Sequence, residues 1–328
     1  HDHLGSYYST DVGVIRVVDT TGEIETTSYT PHTSEIQNCV EAESKRKCWV
    51  NNLKTTMAKD GLKEAFQLAA EYYKVDEEFA RNCNDITHYM GGFAYRLFRD
   101  DKESVVIPES TYCALGFYHG FLEVWFHNYP KIEEAISFCS HVEDVLGESQ
   151  PLAIGNCYHG VGHGAYHMYH ISDWDNFAKG MEPVFDIFEG TGEQIWNFLD
   201  GSFNAVNMDY YQSRYEHLEI KENPFRFCEE LPKYKLQCYD GLASTLVWGG
   251  GGRLDEALTY LEGVPGIENK IAVLRTLVQV EGFSNTTSSD HSTVIRACRR
   301  LESELWETCI GAYAQGLMEQ GEPGKEEV

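Results

Sequence analysis

Cys157-Tyr-His-Gly-Val-Gly-His-Gly164 carries three glycines and two histidines in eight residues, and altered copies of it recur along the chain. Cys113-Ala-Leu-Gly-Phe-Tyr-His-Gly120 and Cys238-Tyr-Asp-Gly-Leu-Ala-Ser-Thr245 align with it, and Asp200-Gly-Ser-Phe-Asn-Ala205 fits the same frame without its cysteine. Cys309-Ile-Gly-Ala-Tyr-Ala-Gln-Gly316 fits near the C-terminus. His88-Tyr-Met-Gly-Gly-Phe-Ala-Tyr95 matches the stretch from His159 to Tyr166 at its first and last two residues, and Glu281-Gly282 is a weaker member. With His163 as reference, the equivalent positions are Gly92, His119, Asn204, Ser244, Glu281 and Gln315, at intervals of 27, 44, 41, 40, 37 and 34 residues. A period of that size accommodates one helical hairpin per repeat.

The flanking sequence has helical periodicity. In the stretches 61–73 and 254–261 apolar residues recur three and four apart, while Gly- or Pro-containing breaks at Pro130, Gly147 to Pro151, Glu222 to Pro224 and Gly249 to Gly252 separate the segments. The architecture resembles TPR, HEAT and related solenoids. Their signature residues are absent, so the likeness implies a fold and no activity. The expected fold is all-α: a disulfide-stapled α-solenoid of helical hairpins over residues 36–328. Residues 1–35 are β-branched and Thr-rich and read as an extended N-terminal arm, a leader or a strand for a neighbouring subunit. Glycine inside a helix costs about 1 kcal/mol relative to alanine, so its recurrence calls for close helix packing in compensation. Packing on the glycine side turns the opposite side of each helix toward the concave face.

Ten cysteines form an even set with three short gaps: Cys39 to Cys48, Cys228 to Cys238 and Cys298 to Cys309. None is a CxxC pair. Such gaps suit helices cross-linked near the turn that joins them, and the same logic pairs Cys139 with Cys157 and leaves Cys83 for Cys113. Five disulfides point to an oxidising compartment: extracellular, cell-surface or periplasm-like. Asn285-Thr286-Thr287 fits a glycosylation acceptor, consistent with a secreted glycoprotein. No run approaches the roughly 20 apolar residues of a membrane-spanning helix, and no basic-then-apolar signal segment survives at the N-terminus, where the start at His1-Asp2-His3 is consistent with a processed or trimmed chain.

The formal net charge is −26, from 52 acidic and 26 basic residues. Nucleic acid and anionic membranes would be repelled; cations and basic partners are favoured, although acidity also suits a solvated surface in a salty exterior. Gly249 to Gly252 lacks the Lys-Ser/Thr of a phosphate loop and reads as a linker turn. Gly190-Thr-Gly192 reads the same way, and no Gly-x-Ser-x-Gly elbow occurs.

On an ideal helix His159, His163, His167 and His170 lie at roughly 0, 40, 80 and 20 degrees, so four imidazoles share a face. Imidazole ligates zinc and copper, and an i, i+4 pair can grip one ion from consecutive turns. Further ligands must come from neighbouring repeats. His119 occupies the His163 position of the preceding repeat, His88 the His159 position of an earlier one, and Asp200 and Asp240 that position in the following two. The most economical metal site is His88, His119, His159 and His163, with Asp200 or Asp240 as carboxylate ligand or supporting partner and His167 and His170 in reserve. Nitrogen donors with one carboxylate suit zinc, copper or iron better than calcium or magnesium. The absence of CxxCH excludes c-type haem. His1 and His3 could chelate copper if His1 carries a free amine.

Three readings follow. The histidines bind a transition metal on the concave face, as cargo or structural centre; the metal serves an oxidase or hydrolase; or the histidines are polar groove lining in an interaction scaffold. The scaffold reading expects a protein partner or a homo-oligomer through residues 1–35 or the solenoid face.

Overall fold

The apolar positions of residues 62–75 lie three and four apart, and they are the ones the fold buries: Leu62, Ala65, Phe66, Leu68, Ala69, Tyr72 and Tyr73 form one face of a helix. Its last turn runs into Asp76, whose side chain accepts the backbone N–H groups of Glu78 and Phe79 and so caps the next helix. The computed structural model describes residues 33–113, 116–147, 150, 152–169, 177–188, 192–209, 225–249, 254–284 and 291–319. Regular structure among the described residues is helical throughout. The elements are α1 (Thr33–Val40), α2 (Lys45–Lys59), α3 (Leu62–Val75), α4 (Glu77–Arg81), α5 (Cys83–Phe98), α6 (Gly116–Asn128), α7 (Ile132–Leu146) and α8 (Leu152–Tyr169). They continue with α9 (Phe177–Asp186), α10 (Gly192–Asp209), α11 (Lys235–Gly249), α12 (Leu254–Ala257), α13 (Ile267–Ser284), α14 (Ser292–Cys298) and α15 (Ser303–Glu319). Of the N-terminal arm, residues 1–32 lie outside the described residues, as do His1 and His3, His170, Gly250 to Gly252 and the Asn285 triplet; α1 starts at Thr33.

The helices that carry the aligned segments are neighbours in space. α5 packs on α6, α6 on α8, α8 on α10, α10 on α11, α11 on α13 and α13 on α15. Other elements cover this row: α7 lies on α8 and α14 on α15, and α13 also touches α4, so the row curls back toward its beginning. Aromatic side chains fill the layer between α6 and α7, where Phe121 stacks on Phe138 at 5.5 Å and Trp125 tilts against the same ring.

All five cysteine pairings expected from spacing are present: Cys39–Cys48, Cys83–Cys113, Cys139–Cys157, Cys228–Cys238 and Cys298–Cys309. No free cysteine remains. Three of them, at Cys157, Cys238 and Cys309, tie the N-terminal halves of α8, α11 and α15 to the element just before, which fixes where each helix enters the row.

Glycine sets the spacing within the row. A Cβ on Gly120 of α6 would run into the carbonyl oxygen of His88 in α5, and one on Gly201 of α10 into the carbonyl oxygen of His159 in α8. Each is a backbone-to-backbone approach that no larger residue permits. Gly311 in α15 is different: it is exposed and has nothing within 4 Å of its Cβ position. Gly120→Ala should therefore destabilise the fold by about 1–3 kcal/mol through overpacking against rigid backbone. Gly311→Ala should stabilise it by up to about 1 kcal/mol through helix propensity alone. Urea unfolding midpoints of the two variants should move in opposite directions.

Candidate metal centre

Helical spacing places His119 and Glu123 on one face of α6 and His159, His163 and His167 on one face of α8. Gly160 of α8, whose Cβ would run into the carbonyl oxygen of Tyr118 in α6, brings these faces together. The His119 ring lies flat on His159, centroids 4.4 Å apart with planes at 10°, and on His163, also at 4.4 Å with planes at 23°. The Nε2 atoms of His159 and His163 are 3.2 Å apart. All three side chains are buried, and the three can offer one nitrogen each within 4.8 Å of one another. This buried triad can hold a metal ion. The three imidazoles are buried within the helix row.

Two carboxylates complete the arrangement. Asp200 of α10 meets His159 Nδ1 at 2.8 Å, and Glu123 Oε1 meets His163 Nδ1 at 2.9 Å. The other oxygen of Glu123 lies 3.1 Å from His88 Nε2 of α5, and His167 Nε2 approaches Oε1 at 3.9 Å. Burial pushes the Glu123 carboxyl up, but His88 and His163 outweigh it and hold it well below the usual carboxylate range. Glu123 is thus an anion amid imidazoles. Burial also disfavours a charged His88, yet Glu123, with help from Asp85, raises that imidazole above its ordinary range. His163 is pushed down to about 4, chiefly by burial and against the pull of Glu123. His119 is held well below the histidine range by burial and then by His159, His163 and His88.

These contacts assign tautomers. A carboxylate oxygen only accepts, so Nδ1 of His159 and Nδ1 of His163 each donate a proton. Neutral rings that donate through Nδ1 carry a bare lone pair on Nε2. At 3.2 Å the two Nε2 atoms either share a proton in a hydrogen bond or, with both rings neutral, turn two lone pairs on a site that a metal cation fills. For metal–nitrogen bonds of 2.0–2.1 Å, two ligands on a tetrahedral ion stand about 3.3 Å apart. The observed separation matches that edge.

His119 is placed differently. A ligand's lone pair lies in its ring plane, and the His119 plane runs nearly parallel to the other two, displaced to one side. To share an ion with them the ring has to turn. Its Nε2 is buried and has no hydrogen-bond partner among the described residues, so turning breaks no hydrogen bond there.

Of the residues nominated from sequence, His119, His159 and His163 come together and Asp200 supports His159 from behind. His88 stands apart, its ring 6.3 Å from that of His119 and its nitrogen on Glu123. Asp240 is also separate: it accepts hydrogen bonds from Thr276 and from Trp196 Nε1, the latter at 3.2 Å, and burial and Asp200 push its carboxyl up to about 7. His167 is half-buried at the edge. Sequence reasoning missed Glu123, although it lies at the His167 position of the preceding repeat, four residues after His119. No protein-family model, curated protein or solved structure matches the chain.

Long-range proton–nitrogen NMR spectra of the histidine rings, recorded at neutral pH on metal-free protein, should show His159 and His163 as Nδ1–H tautomers. An Nε2–H pattern for both rings would contradict the assignment.

Proposed function

We propose that the chain is an extracytoplasmic α-solenoid of helical hairpins that binds a transition metal ion, zinc, copper or iron, between His159 and His163, with His119 as a third ligand. The observation that carries this reading is the pair of Nε2 atoms, 3.2 Å apart, each on a ring whose Nδ1 is engaged by a carboxylate. Carboxylate–histidine–metal arrangements use the outer carboxylate to fix the ring orientation and raise ligand basicity. Here Asp200 and Glu123 supply it from two different helices. The depressed affinity of His119 and His163 for protons keeps both imidazoles neutral at physiological pH, the state in which they ligate metal.

The repeat architecture accounts for the ligand set. Equivalent positions on successive helices face the same way, so a residue type repeated at one position accumulates in one place. Five disulfides among ten cysteines suit an oxidising compartment and leave no thiolate to compete for the metal. An ion shared by α8 and α6 also cross-links neighbouring helices, so loading should raise stability as well as fill the site.

Elemental analysis of protein purified without added metal or chelator should find close to one zinc, copper or iron per chain. The double variant His159→Ala, His163→Ala should lose it, and after stripping with a chelator, adding back the same metal should raise the wild-type melting temperature and leave that of the variant unchanged. Wild-type protein with no stoichiometric metal, whose melting temperature is also indifferent to zinc, copper and iron, would reject the reading.

A further inference from the structure

We infer that an ion held by His159 and His163 keeps at least one coordination position open to a small exogenous ligand, either water or a small monoanion. The inference rests on the metal-binding reading above and adds to it the class of ligand that the centre accepts.

The argument is a count of donors. Zinc in a protein site takes at least four ligands. Among the described residues the group offers three imidazoles, His119, His159 and His163. Every cysteine is in a disulfide. The nearby carboxylates are committed elsewhere: Asp200 Oδ2 accepts from His159 Nδ1, Glu123 Oε1 accepts from His163 Nδ1, and Glu123 Oε2 faces His88 Nε2. Drawing either carboxylate onto the ion would strip the Nδ1–H of a buried ligand ring of its acceptor, leaving a buried donor unsatisfied. Asp240, one helix further along, already accepts from Thr276 and Trp196. With His119 turned inward three positions are filled, and with His119 as it stands only two are.

Size and charge define what enters. His163 is 0% exposed and His159 3%, whereas Glu123, Asp200 and His167 above them are 19%, 24% and 32% exposed. Solvent reaches the carboxylate layer, and the imidazoles lie just beneath it. With the ligand rings buried this deeply, the centre admits a ligand of a few atoms and excludes a bulky one. The carboxylates of Asp200 and Glu123 already offset a divalent ion, so the incoming ligand is water or a single small monoanion.

Cobalt(II) substitution with azide as the probe tests this on the intact chain. Metal-free protein titrated with cobalt should develop visible ligand-field bands that saturate at one equivalent. Azide should then shift those bands along a one-site saturation curve. Bands that form but do not respond to azide, or to cyanate in its place, would show a closed coordination sphere and overturn the inference while leaving the metal-binding reading intact. Failure to form the bands at all would overturn both.

Discussion

The close approach of backbones at glycine is the constraint on which the centre depends. Gly120 lies against the carbonyl of His88, Gly160 against that of Tyr118 and Gly201 against that of His159, so α5, α6, α8 and α10 sit nearer to one another than side chains would allow. Gly120 directly follows His119, and Gly201 directly follows Asp200. The residues that make the contact and those that form the centre are therefore chain neighbours. A helix pair held further apart would separate the rings of His119 and His159, which now stack at 4.4 Å.

Electrostatics follow from that geometry. Burial alone would neutralise a carboxyl such as Glu123, yet three histidines point at it and two of them come within 3.1 Å, which keeps it ionised. Its charge then orients His163, as Asp200 orients His159. Two rings fixed from behind bring their Nε2 atoms together, and burial disfavours the proton that His163 would have to take up.

Much of this was legible in the sequence because repetition converts spacing into position. The aligned segments lie on helices that are adjacent in space, and the cysteine gaps gave four pairings and left Cys83 for Cys113, since a disulfide near a turn leaves few choices of partner. The gathering of His119 with His159 and His163 followed from the same alignment. Ring orientation was not legible, because it depends on side-chain torsions that a repeat pattern leaves free; hence His119 lies flat on its neighbours and His88 turns toward Glu123. Glu123 escaped notice because a glutamate in an acidic chain carries little signal, even at the His167 position. Asp240 shared a register with His159 but was claimed by Trp196 and Thr276, partners from α10 and α13 that the alignment did not consider.

The central claim is that the space between His159 Nε2 and His163 Nε2 belongs to a metal ion. An anomalous difference map, from crystals grown without chelator and measured at the absorption edge of the metal found, tests it most directly. The account predicts one strong peak about 2.0–2.2 Å from both Nε2 atoms, with Asp200 and Glu123 still on the Nδ1 side. No anomalous peak there, together with a hydrogen bond joining the two rings, would contradict it.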